Sequence, residues 1–136
     1  MKVGSQMAQA AKVLVVDDNE DVRDLVVHIL NADGFHVFAA SEGVSALSIL
    51  KANEIDLVLL DVMMPGMSGL EVLTEIRLGS DRKIREIPVM MITAKSSTED
   101  IDKALAIGAN SYVVKPFRGA TIREKVRTIL ELPFNG

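Results

Sequence analysis

Four short apolar runs do most to limit what this chain can become: Val13-Leu14-Val15-Val16, Leu57-Val58-Leu59-Leu60, Val89-Met90-Met91-Ile92 and the shorter Tyr112-Val113-Val114. A fifth, Phe35-His36-Val37-Phe38-Ala39-Ala40, alternates more. Unbroken runs of this length suit strands covered on both faces, the pattern of a parallel sheet. Apolar residues at helical spacing fill the gaps between them. The stripes are Val22, Leu25, Val26 and Ile29; Val44, Leu47 and Leu50; Leu70, Leu73 and Ile76; Ile101, Ala104, Leu105 and Gly108; and Ile122, Val126, Ile129 and Leu130. Five alternating βα units predict an α/β fold, a doubly wound open sheet with helices on both faces.

The element ends carry their own signals. Ser41 is placed to cap the second helix, while Ser68 with Glu71 and Ser96 with Glu99 read as capping boxes. Gly108 is a stop signal, and Asp33-Gly34, Pro65-Gly66, Gly79-Ser80 and Pro116 fall between elements. The charged stretch Gly79 to Glu86 is expected to be an exposed loop. The expected organisation is a flexible tail over residues 1–10, one domain over 11–132 and a short tail over 133–136.

Composition removes several function classes. No cysteine occurs in the 136 residues, which excludes disulfides, thiol nucleophiles and Cys-ligated metals. Net charge is −4 and there are only five aromatics, four Phe and one Tyr. Direct nucleic-acid binding, which needs a basic footprint and stacking platforms, is therefore not expected. The start of the chain lacks the apolar stretch of a signal peptide, and no run of membrane-spanning length occurs, so a cytoplasmic protein without membrane insertion is expected.

In an open α/β sheet, ligands bind outside the carboxyl ends of the strands. The first strand is followed by Asp17-Asp18-Asn19-Glu20-Asp21, the third by Asp61, the fourth runs out into Thr93-Ala94 and the fifth into Lys115-Pro116. Neighbouring strands lie about 4.8 Å apart, and carboxylates that close repel by roughly 3 kcal/mol per pair at an effective dielectric near 20. Lys115 offsets part of this charge, and a hard divalent ion can offset more. Mg²⁺ suits a site of one or two carboxylates because it keeps several waters.

These pieces resemble the receiver domains of two-component response regulators, of the chemotaxis-regulator kind. The likeness covers about residues 11 to 132 and rests on Val13-Leu14-Val15-Val16-Asp17-Asp18, Asp61-Val62-Met63-Met64-Pro65-Gly66-Met67-Ser68-Gly69, Thr93-Ala94 and Lys115-Pro116-Phe117. The resemblance implies a flavodoxin-like (βα)5 sheet in the order 2-1-3-4-5. It implies that Asp61 accepts a phosphoryl group from a sensor histidine kinase or phosphotransfer protein. Mg²⁺ would be held by Asp18, Asp61 and the backbone carbonyl of Met63, with Asp17 acting through a water. Thr93 and Lys115 would each bind a phosphoryl oxygen, and the Lys115–Pro116 bond would be cis. Thr93 and Tyr112 would form a switch acting through the fourth helix, fifth strand and fifth helix on a downstream protein target. By this reading the chain is a self-phosphorylating and self-dephosphorylating acceptor, with no turnover of an external substrate. It is expected to act as a stand-alone regulator, a monomer or weak dimer. Met63, two beyond the acceptor, and Lys95, two beyond Thr93, are expected to flank the path of hydrolytic water and tune the phosphoryl lifetime.

Plainer readings exist for each piece. Asp17-Asp18-Asn19 is also a helix cap with a first-turn acid, Asp61 a turn residue, Thr93 a strand end, Lys115 a solvated lysine and Tyr112 an ordinary strand aromatic. Arg118, Arg123, Lys125 and Arg127 read as a solvated basic face on the last helix, and His28 and His36 have no carboxylate constellation near them in sequence. Three other functions compete. A receiver-like binding module independent of phosphorylation lacks any use for the full acidic set. A haloacid-dehalogenase-like phosphohydrolase resembles a D-x-D pattern, whereas Asp17 and Asp18 are adjacent. A flavodoxin needs a first loop that welcomes phosphate, and five residues with four acids would repel it.

Overall fold

The computed structural model describes residues 11–133, so the expected tail over 1–10, and all of the expected 133–136 tail but Pro133, lie outside the described residues. Five strands, β1 (Lys12–Val16), β2 (His36–Ala40), β3 (Leu57–Leu60), β4 (Val89–Thr93) and β5 (Ser111–Val114), form one parallel sheet in the order β2-β1-β3-β4-β5. The helices are α1 (Glu20–Ala32), α2 (Gly43–Ala52), α3 (Gly69–Leu78), the short α4 (Arg82–Arg85), α5 (Thr98–Ile107) and α6 (Gly119–Ile129).

The two-residue period of the strands sorts their side chains into two cores. Val13, Val15, Leu57, Leu59, Met90, Ile92 and Val113 point to one face, where Val26, Ile29 and Leu30 of α1 and Ile122 and Val126 of α6 cover them. Leu14, Val16, Val58, Leu60, Val89 and Met91 point to the other, beneath Ala46, Leu50, Val72, Leu73, Ile76 and Ala104 of α2, α3 and α5. All four residues of β3 are buried, which explains its unbroken apolar run. Each fully buried Leu or Ile contributes roughly 1.5–3 kcal/mol.

The winding reverses between β1 and β3. The chain steps from β1 to β2 in one direction and then crosses to β3 on the far side of β1. Val16 registers against Leu60 there, so Asp17 and Asp61 emerge side by side at the switch point.

Several local expectations need correction. The residue preceding α2 is Glu42, not Ser41, and it makes no side-chain cap. The buried stripe of α2 is Gly43, Ala46 and Leu50, leaving Val44 exposed, because Gly43 sits against Val72 and Met67 of the α3 side. Leu25 and Leu105 are exposed too. The α5 cap is one residue later than Ser96: Ser97 Oγ accepts from the Asp100 N–H at 3.1 Å and donates to its carboxylate at 2.8 Å. The stretch expected as loop contains α4, started by Asp81, whose carboxylate accepts from the Lys83 and Ile84 N–H groups. The Ser68–Glu71 capping box is present in full, and Gly108 ends α5 at φ +130°.

Candidate functional site at the switch point

The site is assembled by register. The Asp17 N–H donates to the Ala40 carbonyl at 3.2 Å, Asp61 N–H to Val16 at 3.0 Å and Lys115 N–H to Thr93 at 2.8 Å. The sheet ladders thus continue one residue past the strands, holding the functional residues on ordered backbone. Asn19 takes the capping role at α1, accepting from the Val22 N–H at 3.1 Å. The Asp17 and Asp18 carboxylates are thereby released from capping.

Lys115 Nζ lies 2.9 Å from Asp17 Oδ2 and 2.9 Å from Asp61 Oδ2, bridging the two buried carboxylates. Each carboxylate has one further donor: Asn19 N–H on Asp17 Oδ1 at 2.9 Å, and Met63 N–H on Asp61 Oδ1 at 3.0 Å. Asp18 is exposed, yet one oxygen from each of Asp17, Asp18 and Asp61 falls within 4.8 Å of the others. Three carboxylates against one ammonium leave a formal excess of two negative charges.

The electrostatics follow from burial and crowding. Burial raises the Asp17 carboxyl above its usual range and Asp61 raises it further, while Lys115 and the Asn19 N–H work in the opposite direction. Burial works to lower Lys115, but its hydrogen bonds and charges with Asp61 and Asp17 outweigh that and raise it. The ammonium is therefore firmly charged at neutral pH.

Thr93 ends β4 fully buried, with its Oγ1 accepting the Lys95 N–H at 3.3 Å. The Tyr112 hydroxyl donates to the Lys95 carbonyl at 2.9 Å, linking the loop after β4 to β5. Burial raises that phenol, with Asp100 and Asp61 adding to the effect. Met63 and Lys95 present exposed side chains on the loops after β3 and β4. The Lys115–Pro116 peptide is cis.

Two contributors are given no role in the sequence reading. Arg23 Nη1 donates to the Asp17 carbonyl at 2.9 Å, fixing the acidic loop from within α1. Its signal is position: helical side chains tilt toward the N-terminus, and Arg23 lies one turn after Asn19. Gly69 admits α3 against the Asp61 backbone, since a Cβ there would overlap the Asp61 carbonyl oxygen. Arg127, read as part of a solvated face, is instead buried: it bonds Asp33 Oδ2 at 2.9 Å and the Pro133 carbonyl at 2.8 Å.

The all-oxygen donor set fits a hard divalent cation such as Mg²⁺. A doubly wound α/β domain with such an acidic pocket at its switch point, bridged by a lysine, has the architecture of a signalling switch. The response regulator receiver domain profile matches residues 13–127, and the chain belongs to that family of two-component proteins. It is 41% identical over 121 residues to chemotaxis protein CheY-3 of Vibrio cholerae, covering 88% of this chain and 92% of that protein. It is 36% identical to chemotaxis protein CheY of Pseudomonas aeruginosa, covering 88% and 96%. The crystal structure of Vibrio cholerae CheY4 superposes with a TM-score of 0.83 at 33% identity, covering 88% of this chain and 98% of that one.

Proposed function

We propose that the chain accepts a phosphoryl group on Asp61 from a sensor histidine kinase or phosphotransfer protein and so controls a protein partner in the cytoplasm. The observation that carries this is the convergence of Asp17, Asp18 and Asp61 around a single ammonium. The uncompensated charge equals that of one divalent cation.

An oxygen of the Asp61 carboxylate attacks phosphorus in line with the departing donor nitrogen. A P–O bond forms, the P–N bond breaks, and the imidazole nitrogen leaves with its electron pair, giving an acyl phosphate. Such transfer depends on positioning and charge stabilisation. The Met63 N–H orients the carboxylate through Oδ1, and Lys115 is placed to follow the charge onto a phosphoryl oxygen. Asp18, Asp61 and the Met63 carbonyl would hold Mg²⁺, with Asp17 holding one of its waters. Bound there, Mg²⁺ supplies the positive charge that lets an anionic phosphoryl group enter.

Switching needs a contact available only after modification. Thr93 Oγ1 gains a phosphoryl oxygen as partner and draws the following loop, and Tyr112 already touches that loop through the Lys95 carbonyl. The reshaped surface is the α5–β5–α6 face. The exposed side chains of Met63 and Lys95 set how readily water reaches the acyl phosphate. Half-lives of Met63→Asn and Lys95→Ala that match the parent would remove them from that role.

The deciding experiment is incubation with Mg²⁺ and acetyl phosphate, followed by intact-mass and peptide analysis. The expected gain is about 80 Da, mapped to Asp61 and absent without the metal. No gain overturns the proposal in favour of a phosphorylation-independent binding module, and a gain on another residue overturns Asp61 as the acceptor.

A further inference from the structure

At the amino edge of the sheet, far from the acidic pocket, the Arg77 guanidinium uses all five of its N–H groups. Nε and Nη2 donate to the Gly108 carbonyl at 3.1 and 2.8 Å. Nη1 donates to the carbonyls of Arg85 at 3.0 Å and Ile87 at 2.7 Å, and Nη2 also reaches Asn110 Oδ1 at 2.9 Å. Among the described residues Arg77 forms no ion pair. Its countercharge is dipolar instead: it lies in the last turn of α3 and bonds the C-terminal ends of α4 and α5, each a negative pole. The fit is close, since a Cβ on Gly108 would come within 2.8 Å of Arg77 Nε.

The same hub reaches the sheet. Asn110 Oδ1 also accepts from the Val89 N–H at 2.9 Å, and the Asn110 N–H donates to the Val89 carbonyl at 2.8 Å. Val89 begins β4 and Asn110 immediately precedes β5, the strands that lead to Thr93 and Lys115. The opposite end of α5 is held differently. Residues Ala94 to Glu99 are exposed, and the Ser97 cap bonds only within its own turn.

We infer that Arg77 is the positioning residue that makes the Gly108–Asn110 end of α5 a fixed pivot, so that signal-linked movement is confined to the Ala94–Lys103 end. The inference deepens the proposed switch and rests on it only for what drives the movement. Lysine cannot replace this arginine, because an ammonium has three donors and no planar fork.

The test is residue-resolved amide exchange by NMR on the full chain. In the unmodified protein Asp102 and Lys103 should exchange about tenfold faster than Gly108 and Ala109, as local opening begins at the more exposed end. Arg77→Lys should erase or reverse that order while β1 and β3 keep their protection. With Mg²⁺ and acetyl phosphate, chemical-shift changes on α5 should stay within residues 94–103 in the parent and spread to 104–110 in Arg77→Lys. That relocation is a readout that a merely structural arginine would not move. Equal exchange at both ends of the parent, or an Arg77→Lys protein with the parent's order, overturns the pivot. Should Arg77→Lys fail to fold, Asn110→Ala removes one acceptor and is held to the same outcomes. A parent that gains no mass from acetyl phosphate sinks the phosphoacceptor reading instead, and the exchange order in unmodified protein still decides the anchor.

Discussion

The carboxyl and amino edges of the sheet are each organised around a long cation, with opposite charge balance. At the carboxyl edge Lys115 faces Asp17 and Asp61 directly, with Asp18 beside them, and the negative charge exceeds the positive. At the amino edge Arg77 is saturated by helix-end carbonyls and an amide, and Arg127 is matched by Asp33 and lies 5.6 Å above the Phe35 ring. One edge is finished and the other is left open. Reactivity needs an arrangement that a further charged group can improve, whereas anchoring needs one that nothing can.

Asp61→Asn should separate the edges most sharply. Phosphoryl incorporation by mass should fall to zero, because an amide is no nucleophile here. The fold should survive, as Asn keeps an oxygen for the Met63 N–H and relieves the crowding around Asp17. Arg127→Ala acts at the closed edge and should do the reverse. Stranding the Asp33 carboxylate should cost about 3 kcal/mol in denaturant unfolding, with phosphoryl incorporation retained under folding conditions. A mild effect there would break the comparison.

The open edge should also respond to metal. At a Mg²⁺ concentration about one hundred times its dissociation constant, the parent should gain about 2.7 kcal/mol, and chelation should remove it. Asp18→Asn should lose most of that gain with little change in metal-free stability, since Asp18 is the exposed member of the trio.

How much of this could be read from the chain depends on how far apart the partners are. The apolar runs located all five strands, and the two-sided burial of β3 is the direct consequence of Leu57-Val58-Leu59-Leu60. Asp17, Asp18, Asp61 and Lys115 were legible because strand ends must share an edge. Their convergence then depends on the registers of Val16 with Leu60 and Thr93 with Val114. The cap of α5 moved by one residue because Ser96 and Ser97 offer the same hydroxyl, and only backbone conformation chooses between them. The helix α4 was hidden because four mostly charged residues carry no apolar stripe, although Asp81 was a cap signal in plain view. Arg77 and Arg127 were illegible for a deeper reason. Many of their partners are backbone carbonyls, which every residue possesses and no sequence pattern marks.

The smallest expected effect concerns alkaline pH. The Lys115 pKa is raised in the folded protein, so its stabilisation is complete below the unfolded value of 10.5 and is lost as pH rises through the higher folded value. Unfolding midpoints measured between about pH 9 and 12 should fall more steeply for the parent than for Lys115→Met. Parallel curves would show that the bridge adds nothing to the folded state.

The Tyr112–Lys95 contact has a practical corollary. The chain has one tyrosine and no tryptophan, so its emission excited beyond the phenylalanine absorption band comes from a single ring in β5 whose hydroxyl rests on the loop after Thr93. The protein thus carries a built-in optical gauge on the link between its acidic pocket and its α5–β5–α6 surface. A rotation that breaks the contact with the Lys95 carbonyl should register as a change in brightness or anisotropy, with no dye attached.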